Sequence, residues 1–355
     1  MHAGRRDRLR ASIPEDAEGI LVSDFADLRY LTGFTGSNGA IFVCASGPDG
    51  DIFSTDSRYT EQASLECPDL GVLVARQCLI AVAEQCVAQG FSEVLVDDRL
   101  PSGQVGEIAG AGLRSRPVRA LVADLRQVKD SAEIEALAEA CAITSGAIDA
   151  LATEIRVGDT ELRIARRLEQ LFGDFGAEDR AFPTIVAAGA NSAIPHHAPR
   201  HHPLCPGDLL VIDSGARVRG YHADMTRTFI VGEPSPWQIE LHDLVASAAR
   251  ASRALARAGV SIADLDSAGR GVIEEAGMGD FFGHGLGHGI GLEIHEAPMI
   301  SHRAEGRLAA ETTITVEPGV YLPGRGGVRI EDSLLVTVDG HRSLTSSPRD
   351  LRAVG

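Results

Sequence analysis

Five potential metal ligands between residues 213 and 331 constrain the fold of the chain most strongly. They are four carboxylates and one imidazole: Asp213, Asp224, His288, Glu317 and Glu331. The carboxylates lie at the ends of apolar segments, where their burial would be very unfavourable without compensating cations. Oxygen ligands with one imidazole suit Mn, Co or Zn, and two ions about 3.5–4 Å apart are the usual arrangement for hydrolysis. The set therefore predicts a centre for two divalent metal ions.

Two of these carboxylates belong to one predicted β-hairpin. Residues 208–232 contain two apolar, β-branched strands on either side of a turn that contains glycine. If the turn is centred on Val218 and Arg219, Asp213 and Asp224 face each other across the hairpin. They would then be close enough to bind one ion.

The other two carboxylates, Glu317 and Glu331, repeat this arrangement. Residues 312–319 and 327–337 are expected to form two strands, joined by a loop rich in Gly and Pro. The imidazole of His288 lies in a glycine-rich segment, which lets the backbone and a substrate approach each other closely. The two hairpins and this segment are therefore expected to converge.

The same segments resemble the signatures of the pita-bread metallopeptidase family, which contains Xaa-Pro aminopeptidase, prolidase and methionine aminopeptidase. The matching stretches are VIDSGARVRGYHADMTRTFIVG, HGLGHGIGLEIHEAP, VEPGVYLPG and GGVRIEDS, with a further element at residues 192–196. The resemblance implies an α+β fold, with a pita-bread (creatinase/aminopeptidase) catalytic domain at 126–355. YLTGFTGSNG and TDSRY are similar to the amino-terminal domain of Xaa-Pro peptidases, so residues 1–125 are expected to form a smaller α/β creatinase-like domain.

The resemblance also implies a role for each ligand. Asp213 would bind one ion, and Asp224 and Glu331 would bridge both ions. His288 and Glu317 would complete the coordination of the second. A hydroxide between the ions would attack the peptide carbonyl, and Glu317 would pass a proton to the leaving nitrogen. Manganese is the expected metal, with cobalt or zinc as alternatives.

Three further histidines gain a role from the resemblance. His295, seven residues after His288, is expected to donate to the developing oxyanion. His196 is expected to contact the residue on the leaving side, and the Pro-His pair of the family favours it over the neighbouring His197. His284 is expected near the substrate pocket.

The charge of the chain is strongly negative, at −17, which argues against nucleic acid or an anionic membrane as the main partner. Cations bound by the four carboxylates would offset part of that charge. Arg329 supplies positive charge nearby, because it lies two residues before Glu331 and therefore on the same side of a strand. It could orient the carboxylates or only offset their charge.

The remaining composition is typical of a cytoplasmic enzyme. The chain has 355 residues and 44% hydrophobic content, enough for two domains that each bury a core. No apolar stretch suits a signal peptide, and none approaches transmembrane length. Six scattered cysteines without a CxxC pair are expected to be reduced thiols. Because relatives commonly form dimers, a homodimer is expected.

Apolar periodicity predicts individual elements as well. Three helices are expected in the carboxy-terminal part: 131–152, 160–171 and 236–258. Ser131 is expected to cap the first of them. Three strands are expected in the amino-terminal part: 19–23, 40–44 and 93–97. A turn at 47–50 suggests a hairpin there.

Together these features predict a metal-dependent Xaa-Pro aminopeptidase, which releases the first residue of peptides that have proline second. The Xaa-Pro bond has no N–H, so a site shaped for the pyrrolidine ring can exclude ordinary peptides. The alternatives are a prolidase restricted to Xaa-Pro dipeptides, a methionine aminopeptidase, which the amino-terminal domain disfavours, and a non-catalytic peptide-binding relative. Similar prolidases often have an arginine after their His-Glu-x-Pro segment, whereas here Met299 follows Pro298. Without this cation, the aminopeptidase is favoured over the prolidase.

Overall fold

The computed structural model describes residues 1–355, which divide into two compact units, Met1–Arg126 and Gln127–Gly355. Six helices begin in the first unit: α1 (His2–Ser12), α2 (Phe25–Thr32), α3 (Thr60–Glu66), α4 (Cys78–Ala88), α5 (Ser102–Gly110) and α6 (Leu121–Gln127). Its strands are β1 (Gly19–Val22), β2 (Gly39–Cys44), β3 (Ile52–Thr55), β4 (Val72–Val74), β5 (Glu93–Asp97) and β6 (Arg114–Val118). The three strands predicted for this part of the chain are therefore confirmed.

The first unit is built on one mixed sheet of six strands, in the order β4-β3-β2-β1-β5-β6. Strands β2 and β3 are antiparallel and are joined through a short 3₁₀ turn at Pro48–Gly50, which confirms the predicted hairpin. Helix α4 buries its apolar face against the sheet, where Val82 packs in one core cluster with Phe42 and Val94. This unit is the expected smaller α/β domain.

The second unit contains four helices and fourteen strands. The helices are α7 (Ser131–Glu154), α8 (Glu161–Asp174), α9 (Pro236–Leu255) and α10 (Ile262–Glu275). The strands up to residue 231 are β7 (Asp179–Arg180), β8 (Ile185–Ala188), β9 (Leu209–Ser214), β10 (Ala216–Val218), β11 (Tyr221–His222) and β12 (Met225–Val231). The later strands are β13 (Gly287–Gly289), β14 (Glu296–Ile300), β15 (Thr313–Val316), β16 (Gly319–Leu322), β17 (Gly326–Arg329), β18 (Asp332–Val336), β19 (His341–Ser343) and β20 (Arg352–Val354).

Two sheets in this unit each carry their own pair of helices. Helices α7 and α8 share a buried cluster with the sheet β20-β12-β9-β8, including Ile148, Leu168 and Ile212. Helices α9 and α10 share another with the sheet β14-β13-β15-β18-β19, including Leu265 and Ile314. Full burial of each such side chain contributes about 1.5–3 kcal/mol. The α+β architecture predicted for this part of the chain is confirmed.

The predicted cap of helix α7 is wrong by one residue. The residue that caps α7 is Asp130, because its carboxylate accepts hydrogen bonds from the backbone N–H groups of Ala132 and Glu133. Glu133 in turn accepts from the N–H of Asp130, which completes a capping box. The predicted cap, Ser131, is instead the first helical residue. Helix α10, capped by Ser261, was not predicted.

Helix α7 is also long and apolar enough to cross a membrane by length and composition, with a mean hydropathy of 1.2 over its most apolar window. The sequence alone predicts no run of this kind. Half of that window is buried inside the unit, against α8 and the adjacent sheet. A core helix of a globular unit meets the same two criteria.

Candidate metal centre and peptide cleft

The first carboxylate hairpin turns at Arg219 and Gly220, whose φ angles are +50° and +77°. Two consecutive positive φ angles define the type I′ turn, which favours glycine at its second central position. Val218 therefore pairs with Tyr221. The predicted turn centre, at Val218 and Arg219, is wrong by one residue.

This turn also changes the register of the two aspartates. Asp213 pairs with Thr226 rather than with Asp224. Asp224 lies two residues before Thr226, so it is a diagonal neighbour of Asp213 on the same face of the hairpin. The strands are interrupted between them at Gly215, where an added Cβ would lie 1.7 Å from the carbonyl oxygen of Ala223. Only glycine permits this close approach of the two chains.

The second carboxylate hairpin consists of four short strands where two continuous strands were predicted. Strands β15 and β18 pair up to Val316 and Asp332, and β16 and β17 begin again beyond the gap. Glu317 and Glu331 lie opposite each other in that gap. Pro318 follows Glu317 and cannot donate a ladder hydrogen bond, which accounts for the interruption there. In both hairpins, therefore, a broken ladder turns carboxylates out of the sheet.

Backbone and side-chain bonds join the two hairpins to each other. The backbone N–H of Glu331 donates to the carbonyl oxygen of Thr226, at 3.2 Å. The Thr226 hydroxyl donates to Oε2 of Glu331, at 2.6 Å. The carboxylates of both hairpins are thus brought to one place.

His288 completes the cluster from the glycine-rich segment. One ligand atom each from Asp224, His288 and Glu331 lie within 4.8 Å of one another. Nε2 of His288 is 3.6 Å from Oδ2 of Asp224 and 3.4 Å from Oε1 of Glu317. Nδ1 of His288 lies 3.0 Å from the carbonyl oxygen of Gly289, so the proton belongs on Nδ1 and the lone pair of Nε2 faces the carboxylates.

The electrostatics of this cluster call for a cation. Burial, followed by repulsion from Glu331 and Asp213, raises the pKa of Asp224 well above its ordinary value. Burial also raises the pKa of Glu317 to about 8. Burial lowers the pKa of His288 to about 4 and keeps this imidazole neutral, as a metal ligand must be. Oδ1 of Asp213 and Oδ1 of Asp224 are buried without a hydrogen-bond partner. These donor atoms therefore fit divalent metal ions.

Arg329 holds Asp213, the remaining carboxylate, in place. Its Nη2 donates to Oδ2 of Asp213 at 2.6 Å, its Nε to the hydroxyl of Thr226 at 3.0 Å and its Nη1 to the hydroxyl of Tyr321 at 2.8 Å. The Tyr321 hydroxyl also lies 3.0 Å from Nε2 of His284, whose Nδ1 faces a carbonyl oxygen. Tyr321 therefore accepts from Arg329 and donates to His284.

All nine residues predicted for the site line one cavity of about 1030 Å³. Beyond the five carboxylate and imidazole ligands, these are His196, His284, His295 and Arg329. The rings of His288 and His295 are 4.3 Å apart, in edge-to-face contact. His197, by contrast, is buried and its Nε2 lies 2.8 Å from Oε2 of Glu161. It therefore holds the loop, and His196 remains available to a substrate.

Two residues of the site were missed by sequence reasoning. Tyr321 lies four residues after Glu317, and Thr226 two residues after Asp224, so both fall within the quoted signatures. Alternation along a strand could have found Thr226, which shares a face with Asp224. No local pattern could have found Tyr321, because its partners are 8 and 37 residues away in the chain.

The family model of Metallopeptidase family M24 matches residues 135–338, and that of the Creatinase/Prolidase N-terminal domain matches residues 5–128. An Xaa-Pro dipeptidase of Pyrococcus horikoshii is 39% identical over 265 residues, which cover 74% of this chain and 76% of that protein. A solved Xaa-Pro dipeptidase from Bacillus anthracis has a TM-score of 0.95 at 35% identity and covers 100% of both chains. An X-Pro aminopeptidase from Thermotoga maritima MSB8 has a TM-score of 0.90 at 36% identity and covers 99% of this chain and all of its own.

Proposed function

Because the chain belongs to metallopeptidase family M24 and is a peptidase, we propose that its substrates are Xaa-Pro dipeptides and that it acts as a prolidase. The observation that carries this proposal is the full-length similarity to the Bacillus anthracis Xaa-Pro dipeptidase. The sequence alone favours an Xaa-Pro aminopeptidase. The relatives support its alternative, the prolidase, better.

The aminopeptidase stays a second candidate because of one feature of the cavity. Arg329 is the only arginine that lines the cavity, and its bonds to Asp213, Thr226 and Tyr321 leave its fork unavailable for a substrate carboxylate. Met299, which follows Pro298 where similar prolidases often have an arginine, lines the same cavity. A free terminal carboxylate would therefore have to be recognised by other groups, and a longer peptide would not need that recognition.

We propose that the cluster holds two divalent metal ions. Asp224 and Glu331 would be shared by both ions, Asp213 would serve one, and His288 with Glu317 would serve the other. When bound, the ions would supply a water molecule of lowered pKa as the nucleophile and would polarise the scissile carbonyl. Manganese is the metal we propose first. Oδ1 of Asp213 and Oδ1 of Asp224 support the metal assignment, since neither atom has a hydrogen-bond partner.

The chain's own groups would perform the remaining steps. His295 would donate a hydrogen bond to the carbonyl oxygen as negative charge develops there. Glu317 would carry a proton to the proline nitrogen, which must be protonated to leave. His196 would contact the proline residue. His284, held by Tyr321, would form the wall of the pocket on the same side as Arg329.

The experiment that tests this function compares matched peptides on protein loaded with manganese: Ala-Pro, Ala-Pro-Ala and Ala-Ala. We expect the highest kcat/KM for Ala-Pro, and a value lower by on the order of 10² or more for Ala-Ala. Preference for Ala-Pro-Ala would make the enzyme an aminopeptidase. Equal cleavage of Ala-Ala would remove the proposed proline specificity. The variant Met299→Arg sharpens the test, because a new cation near the proline carboxylate should raise the Ala-Pro to Ala-Pro-Ala ratio.

We further propose that the enzyme is a cytoplasmic homodimer. The six cysteines are free, and five of them are buried, which suits a reducing compartment. Sedimentation of the purified protein would determine its oligomeric state.

A further inference from the structure

The second unit contains a buried ion pair that none of the proposed roles explains. Lys129 is the only lysine among the 33 basic residues of the chain. Its side chain is 1% exposed, and its Nζ donates to Oε1 of Glu296, whose side chain is 6% exposed. All the remaining basic residues are arginines, so lysine occurs only at the position that pairs with Glu296.

The space around the Glu296 carboxylate is tight. A Cβ added at Gly291 would lie 2.3 Å from Oε1 of Glu296, so the carboxylate lies directly against this glycine. A compact ammonium can approach such a carboxylate, whereas the broad, planar fork of arginine needs more room. The shape of the site therefore explains the lysine.

The Lys129–Glu296 ion pair lies at the end of the loop between His288 and His295. Glu296 directly follows His295, and in the β13–β14 ladder it pairs with Gly289, the residue after His288. A second bond fixes the middle of the same loop, where the carbonyl oxygen of Gly291 accepts from a backbone N–H at 2.8 Å. The end of the loop that carries His295 is thus held by the side chain of Glu296.

The backbone of Lys129 is itself fixed on both sides. Its N–H donates to the carbonyl oxygen of Glu311, at 2.9 Å, and the preceding Val128 forms a bridge with Thr312. On the other side, Asp130 caps α7. The ammonium is therefore presented from a rigid anchor.

We propose that Lys129 is a positioning residue: through Glu296, it fixes the orientation of His295 beside His288. The kinetic test of this role rests on the proposed peptidase function. The substrate does not contact Lys129 in this arrangement. The effect of Lys129 should therefore appear in kcat rather than in KM or in metal content.

Two variants separate a positioning role from a purely stabilising one. Lys129→Met removes the ammonium from the buried Glu296 carboxylate and should lower the melting temperature. The double variant Lys129→Met/Glu296→Gln removes both charges and should recover most of that loss. Its kcat should still be lower by about 10- to 100-fold, because the ion pair no longer fixes the end of the loop beside His295. Recovery of kcat together with stability would show that the pair only stabilises the fold.

Lys129→Arg tests the shape argument, because it keeps the charge. We expect kcat to stay reduced, and wild-type kcat in this variant would overturn the need for a compact ammonium. The matched control is the buried pair of Arg126 and Asp27 in the first unit, at 2.8 Å with both side chains 2% exposed. The double variant Arg126→Met/Asp27→Asn should keep wild-type kcat.

A chemical readout separates a failure of this proposal from a failure of the proposed function. Diethyl pyrocarbonate modifies exposed imidazoles, and both His295 and the reference His302 are exposed. In the double variant at 129 and 296, the rate at His295 relative to that at His302 should change by about threefold or more, as expected for a loosened loop. An unchanged ratio would overturn the positioning role even if the protein cleaves no Xaa-Pro peptide.

Discussion

Glu331 and Asp332 are consecutive, both are buried, and yet they lie in opposite electrostatic surroundings. Asp332 accepts hydrogen bonds from Arg227 at 2.8 Å, Arg253 at 2.7 Å and Arg349 at 2.5 Å. Burial acts to raise the pKa of Asp332, but these arginines outweigh it and hold the pKa at about 2. Burial and the neighbouring carboxylates instead raise the pKa of Glu331 well above its ordinary value.

The difference shows how the start of strand β18 can serve two purposes. Glu331 lies just before the strand and Asp332 is its first residue. Successive side chains of an extended chain point to opposite sides, so Asp332 faces arginines of the same chain while Glu331 faces other carboxylates. The charge of Asp332 is neutralised internally, and its role is to hold the fold together. The charge of Glu331 needs cations from outside, and that need makes the other side of the strand a binding site.

The largest expected effect comes from removing those external cations. Chelation should lower kcat by on the order of 10³ or more, and added Mn or Co should restore it, because the proposed nucleophile is a metal-bound water. The circular dichroism spectrum should change little, since the Asp332 network needs no metal. Undiminished turnover by protein that elemental analysis shows to be free of metal would refute the proposed centre.

Replacing each of the two acids by its amide, one at a time, should separate effects on metal binding from effects on stability. Asp332→Asn removes the one carboxylate charge that Arg227, Arg253 and Arg349 share and should lower the free energy of unfolding by about 3–5 kcal/mol. Glu331→Gln should abolish metal binding, while the metal-free protein keeps or gains stability because a repulsion is removed. Urea unfolding of both metal-free variants measures their stability. Elemental analysis measures how much metal the Glu331→Gln variant binds. A stable Asp332→Asn variant would contradict this division.

The carboxylate cluster was predictable from sequence, whereas the arginine cluster around Asp332 was not. Short signatures place the nine predicted residues, and all nine line one cavity. Asp332 and its arginines are separated by 105, 79 and 17 residues. No local pattern joins groups so far apart, and only the folded chain brings them together.

The errors of the sequence analysis are local and have physical causes. The hairpin register failed because the turn was centred on Val218 and Arg219, although glycine at position 220 supplies the positive φ that a type I′ turn needs. The helix cap was shifted by one residue because Ser131 was preferred to Asp130, although Asp130 has the acid three residues on that a capping box requires.

A smaller effect on activity is expected outside the ligand set. His295→Ala should lower kcat by on the order of 10²–10³ through loss of the proposed oxyanion donor. Bound metal should stay at the wild-type amount, in contrast to Glu331→Gln. If elemental analysis shows that the variant loses metal, His295 is a ligand and its proposed role is wrong.

The smallest effect concerns stability at acid pH, and it tests only the ion pairs between Asp332 and its arginines. The pKa of Asp332 is lowered from an ordinary value of 3.8 to about 2, so its ionised form is favoured in the folded state. Its contribution is fully present above pH 3.8 and is lost as the pH falls through about 2. That contribution is about 2 kcal/mol, since each unit of pKa shift corresponds to about 1.4 kcal/mol. Urea unfolding of metal-free protein between pH 5 and pH 2 measures it, with Asp332→Asn as the reference, since the amide cannot titrate. If the two proteins lose stability in parallel over this range, the arginines do not hold Asp332 in its ionised form, and the contrast with Glu331 fails.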